Sequence, residues 1–172
     1  MKPTIDLGCG SVPTGDINLD RYMGYSPHHQ GSIEATQYNL FIQGDVSRLP
    51  LKDKSVSRSK LSHVLEHVDN PLQVLRELAR ITDGLVIITV PNNRILEEEH
   101  PQHLFTWSRS SLLALIKRAG LTPVKTAYYS RPNWRPHLRR RLKVFRVPWI
   151  GSILLRLLAP YIELELQVVA RS

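Results

Sequence analysis

Residues 4–20 read TIDLGCGSVPTGDINLD, and this stretch decides the fold. A short apolar run leads into Gly8-Cys9-Gly10. A second short run, Ile17 to Asp20, ends in an acid. The first predicts a buried strand over 3–8 closing in a glycine-rich turn, where glycine lets the backbone approach a ligand closely. The second predicts a strand over 17–20.

Outward from these, 39–43 (NLFIQ) predicts a third strand, followed by Gly44-Asp45, and the region 21–38 between reads mostly as loop. Residues 56–62 are placed as a fourth strand, although Arg58, Ser59 and Lys60 sit where a central strand covered on both faces would be apolar. The clearest helix is 69–82, with Asp69 or Asn70 as cap, Pro71 in its first turn and an apolar face of Leu72, Val74, Leu75, Leu78, Ala79 and Ile81. Gly84 reads as its stop. LVIITV (85–90) has the length and continuity of a buried parallel strand. Ser108 opens a capped helix that ends at Gly120, 122–129 reads as a strand, and the closing IELELQVVARS reads as a last strand. Strands alternating with helices give an α/β three-layer Rossmann-like sandwich, mostly parallel with an antiparallel last strand. Ligands of such sheets bind at the carboxyl ends of the strands.

The chain has 172 residues, 42% apolar and 22% charged. That is enough for one domain with a core and too little for two comfortable ones. No apolar run reaches the roughly 20 residues of a membrane-spanning helix, and the start has no long apolar signal region. A single cysteine, Cys9, excludes a disulfide framework and a cysteine-rich zinc module. A cytoplasmic protein is expected. The net charge of +8 is concentrated late: 131–146 (RPNWRPHLRRRLKVFR) holds seven basic residues and no acid, which leaves the remainder nearly neutral.

The strand ends, taken in order, carry Asp6-Leu7-Gly8-Cys9-Gly10, Asp20, Gly44-Asp45-Val46, Ser62-His63-Val64-Leu65-Glu66-His67 and Val90-Pro91-Asn92. With D-L-G-C-G, an acid ending strand 2, G-D-x-x-x-L-P and H-V-L-E-H, the chain resembles the class I S-adenosylmethionine-dependent methyltransferases, in particular the small-molecule, type 11-like group. The resemblance covers roughly 4–120. It implies that Gly8, Cys9 and Gly10 pass beneath the methionine moiety of S-adenosyl-L-methionine, with Asp6 supporting the turn. It implies that Asp20 holds the ribose hydroxyls, that Asp45 accepts from the adenine amine beside the backbone N–H of Val46, and that Ser62 and His63 line the methyl-donor side.

The sequence departs from that pattern at several points. Only ten positions separate Gly10 from Asp20, too few for the usual helix plus a strand, so a turn at Val12–Gly15 must replace the helix. No helix is expected before strand 1, and Thr82-Asp83-Gly84 stands where L-K-P-G-G is common. A more open site than the average is expected.

A sulfonium donor already activates the methyl group, so the protein must align the acceptor and, for a hydroxyl, remove a proton. Histidine suits that near neutral pH. His63, His67 and His103 are the candidate catalytic residues, with His100 also near a strand end. His63, Glu66 and His67 with His100 or His103 have the donor types of a divalent-metal site, but L-E-H is common in relatives without metal, and no metal ligands are assigned. The base-amine motif N/D-P-P-Y/F is absent after strand 4, and Cys9 lies in the cofactor turn rather than at an acceptor, so DNA and base-methylating chemistry is not expected.

Residues 131–160 form an insertion between the last two strands of the single domain. Basic residues beside Trp134 and Phe145 suit RNA; followed by the apolar WIGSILLRLLA they suit an anionic membrane surface; and the segment can equally pack over the acceptor pocket. The expected reaction is methyl transfer to an oxygen or nitrogen of a small or lipid-linked acceptor. The alternatives are an RNA methyltransferase and a non-catalytic cofactor- or RNA-binding module.

Overall fold

The computed structural model describes residues 1–25, 32–33, 39–92, 102–129 and 164–172. The expected insertion 131–160 and His100 lie outside the described residues. Seven strands form one sheet. In chain order they are β1 (Thr4–Leu7), β2 (Ile17–Asp20), β5 (Phe41–Gln43), β6 (Val56–Ser62), β7 (Thr82–Asn92), β8 (Thr122–Tyr129) and β9 (Leu164–Arg171). Their spatial order is β5-β2-β1-β6-β7-β9-β8. β5, β2, β1, β6 and β7 run parallel, and β9 is antiparallel to both of its neighbours, β7 and β8. Two further strands, β3 (Gly24–Tyr25) and β4 (Ser32–Ile33), pair antiparallel inside the region expected to be loop.

Helix α1 (Pro71–Ile81) is capped by Asn70, whose side chain accepts from the Gln73 N–H at 3.1 Å, with Pro71 in the first turn. Helix α2 (Arg109–Arg118) starts in a capping box between Ser108 and Ser111. The two helices touch each other, so they share one face of the sheet. That face carries the odd positions of β1 and β6 and the even positions of β7 and β9 that pair with them. Ile5, Leu7, Leu61, Val86, Ile88, Val90, Leu166 and Val168 lie on it almost fully buried, packed with Val74, Leu75, Leu78, Leu112 and Ile116.

The alternation explains the polar fourth strand. Along β6, Val56, Ser59 and Leu61 are buried while Arg58 and Lys60 are not. Ser59 faces the helices but shares a 2.6 Å hydrogen bond with the buried Thr82 hydroxyl. Arg58 and Lys60 face the other side, where their register partners Leu85 and Ile87 on β7 are only half-buried. The strand therefore follows a period-2 alternation rather than a continuous apolar pattern.

Gly84 does not stop α1, as the sequence reading expected. The helix ends at Ile81, with Thr82 already extended and its N–H bonded to the Leu78 carbonyl. Gly84 lies within β7 at a register slip opposite Val56–Arg58. Its φ is +147°, and a Cβ there would sit 2.5 Å from the Ser57 carbonyl oxygen. Only glycine fits this bulge. The strand consequently starts three residues earlier than the apolar run alone indicates.

Candidate active site

Parallel pairing brings the carboxyl ends of β1, β2, β5, β6 and β7 to one edge. Leu7 is level with both Leu19 and Leu61, Asp20 with Gln43, and Ser62 with Thr89. The expected cofactor residues follow these ends.

The turn after β1 is tied to β2. The N–H groups of Gly8 and Cys9 donate to the Leu19 carbonyl at 2.8 and 3.2 Å. The Gly10 N–H donates to Asp20 Oδ2 at 3.0 Å, and the Tyr22 N–H to Asp20 Oδ1 at 3.0 Å. Asp20 is 3% exposed. The Gly44 N–H donates to the Asp20 carbonyl at 2.9 Å, which fixes the third strand end beside the second. Gly8 has φ +66° and Gly10 φ +55°. A Cβ on Gly8 would lie 2.3 Å from Val64 Cγ2, so the turn after β1 is packed directly on the turn after β6.

Asp6 is 2% exposed and faces away from the helices. Its Oδ2 accepts from the Thr14 N–H at 3.1 Å, from the Thr14 hydroxyl, and from Lys60 Nζ at 3.2 Å. Lys60 also donates to the Thr14 hydroxyl at 2.9 Å. The turn that replaces the usual helix is thus anchored by a buried acid, a threonine and a lysine. Sequence reading gave Asp6 its turn-supporting part but treated Lys60 as an anomaly. Its signal was the alternation in VSRSKLS, which places Lys60 beside Asp6 across the strand pair.

Asp45 is exposed, with Val46 behind it buried. Hydrogen bonds from the Ser47 side chain and N–H, the latter to Oδ1 at 2.8 Å, hold its carboxyl below the usual carboxylate range. It stays ionised at neutral pH, as an acceptor for an amine requires. Cys9 is the opposite case. Burial, then the charges of Asp20 and Asp6, push its thiol up to about 12. It remains a thiol at neutral pH.

His63 follows Ser62 at the end of β6 with φ +55°, a left-handed backbone uncommon for a non-glycine residue. Its N–H donates to the Thr89 carbonyl at 2.9 Å, and its Nδ1 lies 3.4 Å from Glu66 Oε1. Strained residues of this kind cluster at functional sites. His67 and His103 are not beside the glycine turn in sequence or through any hydrogen bond described above. They meet each other one turn further on, ring centroids 4.8 Å apart, around Glu66.

The residues present fit a nucleoside carrying a cationic tail. Asp20 and Asp45 stand at adjacent strand ends as carboxylate acceptors, and a glycine turn lies between them and His63. Residues 5–88 match the methyltransferase domain family. No curated protein matches the sequence significantly. Solved structures of the same fold span nearly the whole chain. A SAM-dependent methyltransferase from Archaeoglobus fulgidus is 15% identical with a TM-score of 0.63, over 98% of this chain and 85% of that one. The cyclase SpnF is 15% identical at 0.65, over 98% and 74%. The geranyl diphosphate C-methyltransferase from Streptomyces coelicolor, in complex with Mg2+, geranyl diphosphate and S-adenosyl-L-homocysteine, is 11% identical at 0.64, over 99% and 72%. At these identities the likeness is one of fold.

Proposed function

We propose that the chain, whose residues 5–88 match the methyltransferase domain family, is a class I S-adenosylmethionine-dependent enzyme that transfers a methyl group to an oxygen or nitrogen of a small or lipid-linked acceptor. The observation that carries this reading is the hydrogen-bonded join of the Gly8–Gly10 turn to the carboxylate of Asp20. It sets a glycine turn and an acid at neighbouring strand ends.

In this reading Gly8, Cys9 and Gly10 bed the methionine portion of the donor, Asp20 takes the ribose hydroxyls, Asp45 and the Val46 N–H take the adenine edge, and Ser62 and His63 border the methyl. The donor supplies a sulfonium-activated methyl group. His63 accepts the acceptor's proton at a ring nitrogen, oriented by the nearby Glu66 carboxylate. Asp6, Thr14 and Lys60 keep the turn in place.

The basic and then apolar sequence of 131–160 supports an acceptor with lipid character, since cationic side chains next to an apolar stretch of about 11 residues suit an anionic bilayer surface. The test begins with calorimetric titration of S-adenosylmethionine and S-adenosylhomocysteine into the wild-type chain and Asp20→Ala. Micromolar binding that the substitution removes is expected. Equal affinity in both proteins refutes the ribose assignment. Sedimentation with anionic but not neutral liposomes is then expected; RNA binding that weakens steeply with salt, without liposome binding, favours an RNA acceptor instead.

A further inference from the structure

Glu66 is 1% exposed, and among the described residues neither of its carboxylate oxygens accepts a hydrogen bond. His63 Nδ1 lies 3.4 Å from Glu66 Oε1. A buried carboxylate without hydrogen bonds is costly and calls for a cation or a proton. Two imidazoles stand beside it. Ligand atoms of Glu66, His67 and His103 all lie within 4.8 Å of one another.

The cluster is held by backbone, not by chance packing of surface side chains. The N–H groups of Leu104 and Phe105 donate to the Glu66 carbonyl at 2.7 and 3.3 Å. This ties the segment after β7 to the turn after β6 and carries His103 to Glu66 across 37 positions of sequence. His67 Nδ1 bonds the Gln102 carbonyl at 3.0 Å. That contact orients the ring and places the proton on Nδ1, the arrangement that backbone carbonyls give to metal-ligating imidazoles.

We propose that Glu66, His67 and His103 form a binding site for a divalent first-row metal ion, zinc foremost. Two imidazoles and one carboxylate are the donor set of open zinc sites, in which non-protein ligands complete the coordination. Tetrahedral zinc with bonds of about 2.0–2.2 Å separates its ligand atoms by roughly 3.4 Å, so closure from the present spacing needs only small side-chain rotations. His67 ligates through Nε2. A metal here adds positive charge beside the buried Glu66 carboxylate, whose oxygens accept no hydrogen bond among the described residues.

The test needs no methyl acceptor and no cofactor, so it stands apart from the methyl-transfer reading. The full chain, freed of metal by dialysis against chelator, is titrated with zinc chloride by calorimetry and with cobalt(II) by visible absorption. One equivalent of zinc, cobalt d–d bands of low-symmetry coordination, and a raised melting temperature on loading are expected. His67→Ala, His103→Ala and Glu66→Gln should each weaken binding by more than about tenfold, while His28→Ala/His29→Ala leaves it unchanged. Should Glu66→Gln fail to fold, the two histidine variants decide. No saturable binding, or binding that survives all the ligand substitutions that fold, overturns the site.

Discussion

Lys60 Nζ stands 3.2 Å from Asp6 Oδ2, a lysine of one central strand paired with the buried acid of its neighbour. The pair lies on the face of the sheet that α1 and α2 leave uncovered, and Thr14 joins it from the turn that connects β1 to β2. It holds in place a connection too short to contain a helix.

Lys60→Met should therefore lower stability by about 1–3 kcal/mol, because Asp6 keeps its Thr14 bonds but loses its counter-charge. Asp6→Ala should cost more and also weaken cofactor binding, since the Thr14 and Lys60 donors lose their common acceptor. Urea midpoints of both variants check this. A Lys60→Met midpoint equal to wild type would show that the pair does not anchor the turn.

Gly8→Ala should destabilise by about 2–4 kcal/mol, from the positive φ and from the overlap with Val64 Cγ2. Val64→Ala in the same chain should recover the overlap part and leave the backbone part. Additive losses in the double-mutant cycle would mean that the two turns are not in the contact described.

Asp20→Asn should bind S-adenosylhomocysteine at least about tenfold more weakly, equivalent to about 1.4 kcal/mol. The amide retains one acceptor oxygen, whereas the Gly10 and Tyr22 N–H groups now occupy both carboxylate oxygens. Asp20→Ala should lose binding altogether and loosen the glycine turn. Calorimetry measures the first effect, and amide exchange at Gly10 reports the second.

His63→Asn should keep the fold, because asparagine tolerates the left-handed backbone, and should bind cofactor as wild type does while methyl transfer to any acceptor found by screening falls by about 100-fold or more. Undiminished transfer would remove His63 as the base.

The Arg80 guanidinium donates to both Glu77 oxygens at 2.8 Å and holds that carboxyl below its ordinary 4.5, with the Leu49 N–H helping and burial opposing. A carboxyl lowered in the folded state stabilises fully above its unfolded value, and that contribution is lost as the pH falls through the folded value. Urea midpoints should decline as the pH falls below the ordinary 4.5 of Glu77, and Glu77→Gln should flatten that decline. An unchanged slope would place the acid sensitivity elsewhere.

The fold was largely legible because strand ends and helix caps are written locally. Pro71 after Asn70, Ser108 before its helix and the glycine turn after β1 each act within a few residues. Strand β8 has the expected bounds, as does β6 despite its charges. The misreading of Gly84 had a physical cause: a glycine after an amphipathic helix satisfies the rule for a helix stop, and only the approach of Ser57 on the next strand shows that it serves a bulge.

The sequence by itself determined the order of the seven strands of the main sheet and of the two helices, and the acids and glycines at the strand ends, since these follow from period and turn chemistry. Only the tertiary structure decided which face of the sheet is packed, that Lys60 answers Asp6, that Val64 forbids a side chain at Gly8, and that Glu66 lies buried between His63 and the His67–His103 pair. Each of those joins residues from separate strands or turns. Pairing register and backbone hydrogen bonds between distant segments set such contacts, and no local pattern in the chain encodes them.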